Sequence, residues 1–217
     1  MMNLTPDELL TTTRAIRKRL DLSRPVEREL IEECISIASH APGAGFGQLS
    51  RFVVVTDKTK RASLAELYRK SGANLSQRAR AVVTEGISSG NPGRDAMEKR
   101  TIESALYLYD HLQDVPVHVI PCILGRTDEA SVPVQAAQWG SIFPAAWSFM
   151  LAGRARGLGM TFTTFHLAYE EEAASLLGIP FKDIMQAGLL PVAYMKGSVF
   201  RPAPRPPLSD LAHWNAW

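Results

Sequence analysis

AAQWGSIFPAAWSFMLAG, residues 136–153, lies in the longest uncharged run in the chain's interior and is the natural centre of its fold. No residue between Glu129 and Arg154 carries a charge, so the helix predicted over residues 134–156 is apolar on every side. Such a helix either spans a membrane or lies at the centre of a soluble fold. Gln135, Gln138, Ser141 and Pro144 interrupt the apolar run, and no basic flank marks one side. The reading is therefore a central helix inside a globular domain.

Outward from it, strands and helices interleave. Downstream, Gly157-Leu158-Gly159 leads into the β-prone MTFTTF of residues 160–165. A short helix over residues 169–177 is stopped by Gly178 and Pro180, and QAGLLPVAYM (186–195) predicts a strand. The tail carries RPAPRPP (201–207), whose prolines hold it extended. Upstream, VPVHVIPCIL (115–124) predicts a strand, with Pro116 and Pro121 marking bends or an exposed edge. Residues 101–112 and 58–70 predict helices, and RFVVVT (51–56) a strand. Val26, Leu30, Ile31, Cys34, Ile35 and Ala38 recur at helical spacing and predict a helix over residues 27–39. His40-Ala41-Pro42-Gly43 ends it, and a glycine-rich loop runs to Gly47. A first helix covers residues 5–19, with Thr5 as cap, Pro6 in the first turn, and Asp7 and Glu8 at the positive end. Residues 71–94, with GANLSQ and EGISSGNPGR, have the composition of irregular chain; a mobile lid and an ordinary surface excursion fit equally.

Few strands, with two helices before the first, fit an α+β, three-layer α/β/α fold: a mixed sheet with helices on both faces. There is no internal repeat or linker, so residues 1–217 read as one domain ending in an extended arm at residues 197–217.

Composition narrows the function. With 46% hydrophobic and 21% charged residues the chain buries a true core. A net charge of +2 argues against a nucleic-acid binder held by electrostatics. Cys34 and Cys122 read as buried, reduced thiols. MMNLTPDELLTTTR has early acidic residues and no apolar core, so it is no secretory signal, and a cytoplasmic location is expected. The five histidines show no metal spacing, and there is no Cys-x-x-Cys. No Gly-x-Gly-x-x-Gly follows a strand: Gly157-Leu158-Gly159 lacks the third glycine and precedes a strand. Nor is there a nucleophile elbow.

Four segments taken together resemble a known family. These are TTRAIRKRLD (12–21), PVERELIEECISIASHAPGAGFGQLSRFVVV (25–55), RGLGMTFTTF (156–165) and RPPLSDLAHWNAW (205–217). None is specific alone; four in order along essentially the whole chain resemble the FMN-dependent nitroreductases, most closely an actinobacterial branch. The resemblance implies a nitroreductase-like fold with a mostly antiparallel sheet. It also implies a homodimer with shared FMN sites, the central helix packing against its twin. That pairing would cover an apolar face a monomer leaves wet. It further implies an oxidoreductase passing hydride from NAD(P)H through flavin N5 to a nitroaromatic, quinone or similar small acceptor. The flavin carries the chemistry, so no catalytic side chain is required. The alternatives are a flavin-binding store or sensor without turnover, or a relative using another flavin-like cofactor.

Carried over residue by residue, the resemblance assigns Arg14 to the FMN phosphate and Arg17 to the phosphate or the flavin's pyrimidine edge. Three apart on the predicted first helix, the two would share a face, where paired guanidiniums can clamp a phosphate; a solvated basic helix end is the alternative. Ala15 stands where the family has Ser, losing one hydroxyl. In Pro42, Gly43, Ala44, Gly45 and Gln48 the loop that would reach the second subunit's flavin keeps only Pro42 and Gln48 of the family pattern. Ser is replaced by Gly43, Asn by Phe46 and Pro-Trp by Leu49-Ser50. The Thr164 N–H is expected at flavin N5, with Thr163 beside it. Arg205, or else Arg201, would bring a phosphate-binding cation on the proline-stiffened arm. Trp214 and Trp217 would anchor that arm, and His166, just past the proposed N5 contact, is the only histidine that is a candidate for a role near substrate.

Overall fold

The computed structural model describes residues 2–44, 49–197 and 199–217. Along the chain run α1 (Pro6–Thr12), α2 (Arg28–Ala38), β1 (Ser50–Val55), α3 (Lys58–Glu85), α4 (Pro92–His111) and β2 (Val117–Leu124). There follow α5 (Val132–Ala155), β3 (Leu158–Met160), α6 (Glu170–Leu177), β4 (Ile184–Gln186) and β5 (Leu190–Tyr194). The strands form one sheet in the order β1-β2-β5-β3, with β4 also pairing β2, and every strand pair is antiparallel.

Alternation along β2 builds the two helical layers. Val117 and Val119 pack with Ile31 and Cys34 of α2 and Phe149 of α5. Ile120 and Cys122 point the other way, into a cluster with Leu64 and Tyr68 of α3, Leu108 of α4 and Ala173 of α6. This is the expected α/β/α sandwich. Both cysteines are free and buried, and burial pushes their thiols up, Cys34 to about 11 and Cys122 to about 12, leaving them unreactive.

Pro121 corrects the edge reading of its strand, because β2 is central and Pro121 pairs with Phe52. Its carbonyl accepts from the Ala187 N–H at 2.8 Å, so its nitrogen faces the same side, at the break between β4 and β5. The missing donor falls where the ladder is already interrupted.

Three other boundaries differ from expectation. The first helix ends at Thr12, not residue 19: the hydroxyls of Thr11, Thr12 and Thr13 bond back to the carbonyls of Asp7, Glu8 and Leu9. Ile16 then docks on the sheet edge, its N–H donating to the Met160 carbonyl at 2.9 Å. Arg14 and Arg17 therefore lie beyond the helix, not on one of its faces. Residues 71–94 are mostly helical, the end of α3 and the start of α4 forming an antiparallel hairpin. The strand expected over residues 186–195 is split into β4 and β5 around Gly188, where a Cβ would overlap the Phe162 ring.

The charge-free helix is α5. Ile142, Ala145, Ala146, Phe149 and Met150 are buried, while Phe143 and Trp147 are 44% and 39% exposed on the outer side. No helix among the described residues is long and apolar enough to cross a membrane.

Candidate functional site

Two adjoining cavities share one side chain, Arg17. The first, about 390 Å³, lies between the α3–α4 hairpin and residues 162–165. The Tyr68 and Phe165 rings meet in its wall at a centroid distance of 5.1 Å, tilted by 35°, and the Thr163 hydroxyl donates to the Tyr68 phenol oxygen at 3.2 Å. The hairpin adds a helical stripe of small and apolar residues, Leu75 and Ala79 on α3, Ile102 and Leu106 on α4. Gly72 lets α3 approach this closely: a Cβ there would sit 2.8 Å from Phe165 and 2.9 Å from Tyr109.

Thr163 and Thr164 differ in a way that matters. The Thr163 N–H donates to the Leu189 carbonyl at 3.0 Å, and its own carbonyl accepts from Leu189 at 2.7 Å. The Thr164 carbonyl accepts from Leu167, but its N–H has no partner among the described residues, and Thr164 lines the cavity. A free backbone donor on an apolar wall is a fixed contact point for an acceptor atom.

The second cavity, about 350 Å³, is cationic, lined by Arg14, Arg17, Lys18 and Arg19 together with Ala15 and Phe200. Arg19 and Arg154 stack on the Phe200 ring at 4.1 and 4.6 Å, and Lys18 pairs with Glu103 at 3.1 Å. Burial lowers the Arg17 pKa and the nearby Tyr68 hydroxyl counters it, while burial raises that of Tyr68. The guanidinium keeps its charge at neutral pH.

Arg17, Thr163 and Thr164 thus meet in the first cavity, and Arg14, Ala15 and Arg17 in the second. The remaining expected residues lie elsewhere. Pro42, Gly43 and Ala44 are on α5's flank, the Ala44 N–H donating to the Ser141 hydroxyl at 2.8 Å, and line neither cavity. Gly45 and Gln48 fall outside the described residues. Arg205 is exposed on the arm, its guanidinium donating to the neighbouring Pro204 carbonyl, and it lines neither cavity. His166 does not take up the candidate role near substrate. It is fully buried, lines neither cavity, and burial holds its pKa near 4, with the Gln186 side chain acting in the opposite sense. The sequence reading missed Tyr68, Phe165 and the hairpin stripe. The spacing of Ile102, Leu106 and Tyr109 on a predicted helix was the available signal.

The model of the nitroreductase family matches residues 10–194. A search of curated proteins gives no match. Among solved structures, iodotyrosine deiodinase bound to FMN and 3-iodo-L-tyrosine is similar at 16% identity, 97% of this chain against 99% of that one, TM-score 0.69. A BluB-like flavoprotein from Clostridium difficile 630 is similar at 13% identity, 99% against 100%, TM-score 0.69. A variant of the FMN and NADPH-dependent nitroreductase NfnB from Sphigopyxis sp. strain HMH is similar at 18% identity, 99% against 100%, TM-score 0.65. At these identities the likeness is one of fold.

Proposed function

Since the chain belongs to the nitroreductase family, we propose that it is a homodimeric flavin oxidoreductase. It holds FMN across the two cavities and passes hydride from NAD(P)H to a small nitroaromatic, quinone or related aromatic acceptor. The observation that carries this reading is the meeting of an apolar, aromatic-walled space and a cationic cleft at Arg17. FMN is amphipathic in the same sense, with an apolar ring at one end and a dianion at the other, so the residues fit the group.

FMN, when bound, supplies hydride acceptance and donation at N5. The chain's own groups do the rest. Arg14 would hold the phosphate by charge-assisted bonds, and Arg17 would either share that grip or offset negative charge at the pyrimidine edge. Thr164 would offer its unpartnered N–H to the ring at N5, and Thr163, tied to Leu189 and Tyr68, fixes the segment that presents it. Phe162, Tyr68 and the hairpin stripe exclude water from the space where donor and acceptor bind in turn. No side chain acts as a general acid or base in this scheme.

A second copy completes the site. Phe143 and Trp147 on α5, and Trp214 and Trp217 on the arm, at 88% and 101% exposed, are large apolar surfaces that pairing would cover. The same pairing would bring Pro42, Gly43, Ala44, Gly45 and Gln48 of one chain toward the other's ring, and Arg205 toward a phosphate. Iodotyrosine deiodinase with FMN and the FMN and NADPH-dependent NfnB, both of this fold, support the choice of cofactor and donor. A cytoplasmic setting supplies reduced nicotinamide.

The test is anaerobic. Purified protein should be yellow, bleach with NADH or NADPH, and regain colour on adding a quinone or nitroaromatic. Yellow protein that neither nicotinamide bleaches is a flavin store or sensor. Colourless protein that refuses added FMN ends the reading altogether.

A further inference from the structure

Ala15 leaves the opening segment without a hydroxyl, yet the cationic cleft still has one in its wall. It belongs to Ser104, on α4, far away in sequence. Glu103, the residue before it, is ion-paired to Lys18 at 3.1 Å, which pins this turn of α4 against residues 14–19.

The Ser104 hydroxyl differs from its neighbours on the hairpin. Ser76 donates to the Ala73 carbonyl at 2.8 Å, Thr84 to Arg80 at 3.0 Å and Thr101 to Met97 at 2.9 Å, the ordinary back-bonding of a helical hydroxyl. No such bond is found for half-buried Ser104 among the described residues. It faces Arg14, Arg17, Lys18 and Arg19, all donors without an acceptor. Cationic side chains donate and do not accept, so this hydroxyl is free to donate to an anion that they attract.

We infer that Ser104 is a phosphate ligand, donating to an oxygen of the FMN phosphate that Arg14 and Arg17 grip and restoring from α4 the hydroxyl absent at Ala15. This rests on the FMN reading above. It gives α4 two duties. Ser104 reaches the phosphate while Ile102 and Leu106 wall the apolar cavity, so the hairpin is anchored by the cofactor whose ring it covers.

The experiment titrates the FMN-free dimer with FMN and, separately, with riboflavin, which lacks the phosphate, and reads quenching of flavin fluorescence. Ser104→Ala should bind FMN about 10-fold more weakly, the scale of one hydrogen bond to a charged group, with riboflavin affinity unchanged. Ser104→Asp should lose FMN about 100-fold or more through like-charge repulsion and keep riboflavin; Ser104→Thr, which retains the hydroxyl, should stay near wild type. An unchanged FMN affinity in Ser104→Ala, or an equal loss of FMN and riboflavin, overturns the assignment. If the wild type itself fails to prefer FMN over riboflavin, the phosphate reading of the cleft fails, and Ser104 falls with it. Wild-type preference kept in full by Ser104→Ala removes Ser104 alone.

Discussion

The two cavities on either side of Arg17 are built from overlapping parts and work by opposite physics. Both use α4 and Arg17, but one presents aromatic and aliphatic surface with the Thr164 N–H unpartnered among the described residues, and the other a row of cations. The first recognises by shape and by displacing water, the second by charge and directed hydrogen bonds. Affinity in the first should hold as salt rises, whereas the second should weaken. One mononucleotide engaging both is thus gripped by contributions that can be removed separately.

Acid should separate them with the largest effect. His118 and His166 are fully buried, and burial holds both near pKa 4, below the ordinary 6.5. Between those values the unfolded chain binds more protons than the folded one. Stability therefore falls as pH drops from about 6.5 to 4, by up to about 3 kcal/mol per histidine. Denaturant unfolding followed across that range should show the slope, and His166→Asn should flatten it. A stability curve with no slope there contradicts the buried, neutral assignment.

Next in size is Arg17→Ala, which touches both cavities at once. Loss of charge-assisted contacts worth about 1.5–3 kcal/mol should weaken FMN about 10- to 150-fold in an equilibrium titration. Retention at wild-type level would mean the two cavities are not bridged. Gly72→Leu attacks only the apolar side, since its Cβ meets Phe165 and Tyr109. Overpacking there should cost about 1–3 kcal/mol in unfolding and close the acceptor space while phosphate binding persists. Smallest is Arg205→Ala, expected to weaken FMN about 10-fold at most and only in the dimer. No change would show that the arm stays away from the cleft.

How far all this was legible depends on how local the deciding physics was. The central helix needed only its lack of charge, and α5 spans Val132–Ala155, close to the expected residues 134–156. α4 was read as starting at Thr101, although Asn91 and Pro92 were a readable cap. The Asn91 side chain accepts from the N–H groups of Gly93 and Arg94, and proline suits the first turn. The break expected near Gly72 was overruled by tertiary packing, because the position that lowers helix propensity is the one that admits Phe165. Arg14 and Arg17 were expected to share a helical face, a local reading that the short α1 overturns. Their side chains line one cleft from a segment docked on β3, not from one helical face. Ser104 carried no readable signal, since its place beside the cations depends on how α4 folds back against residues 14–19.

A crystal structure of the FMN-loaded protein is the most direct test of the bridging claim. The account predicts the ring against Phe162 and Thr163 with N5 facing the Thr164 N–H. The phosphate should lie among Arg14, Arg17 and Lys18, with a second copy closing over it. A ring bound elsewhere, or a phosphate outside the Arg14–Arg17 cleft, would contradict it.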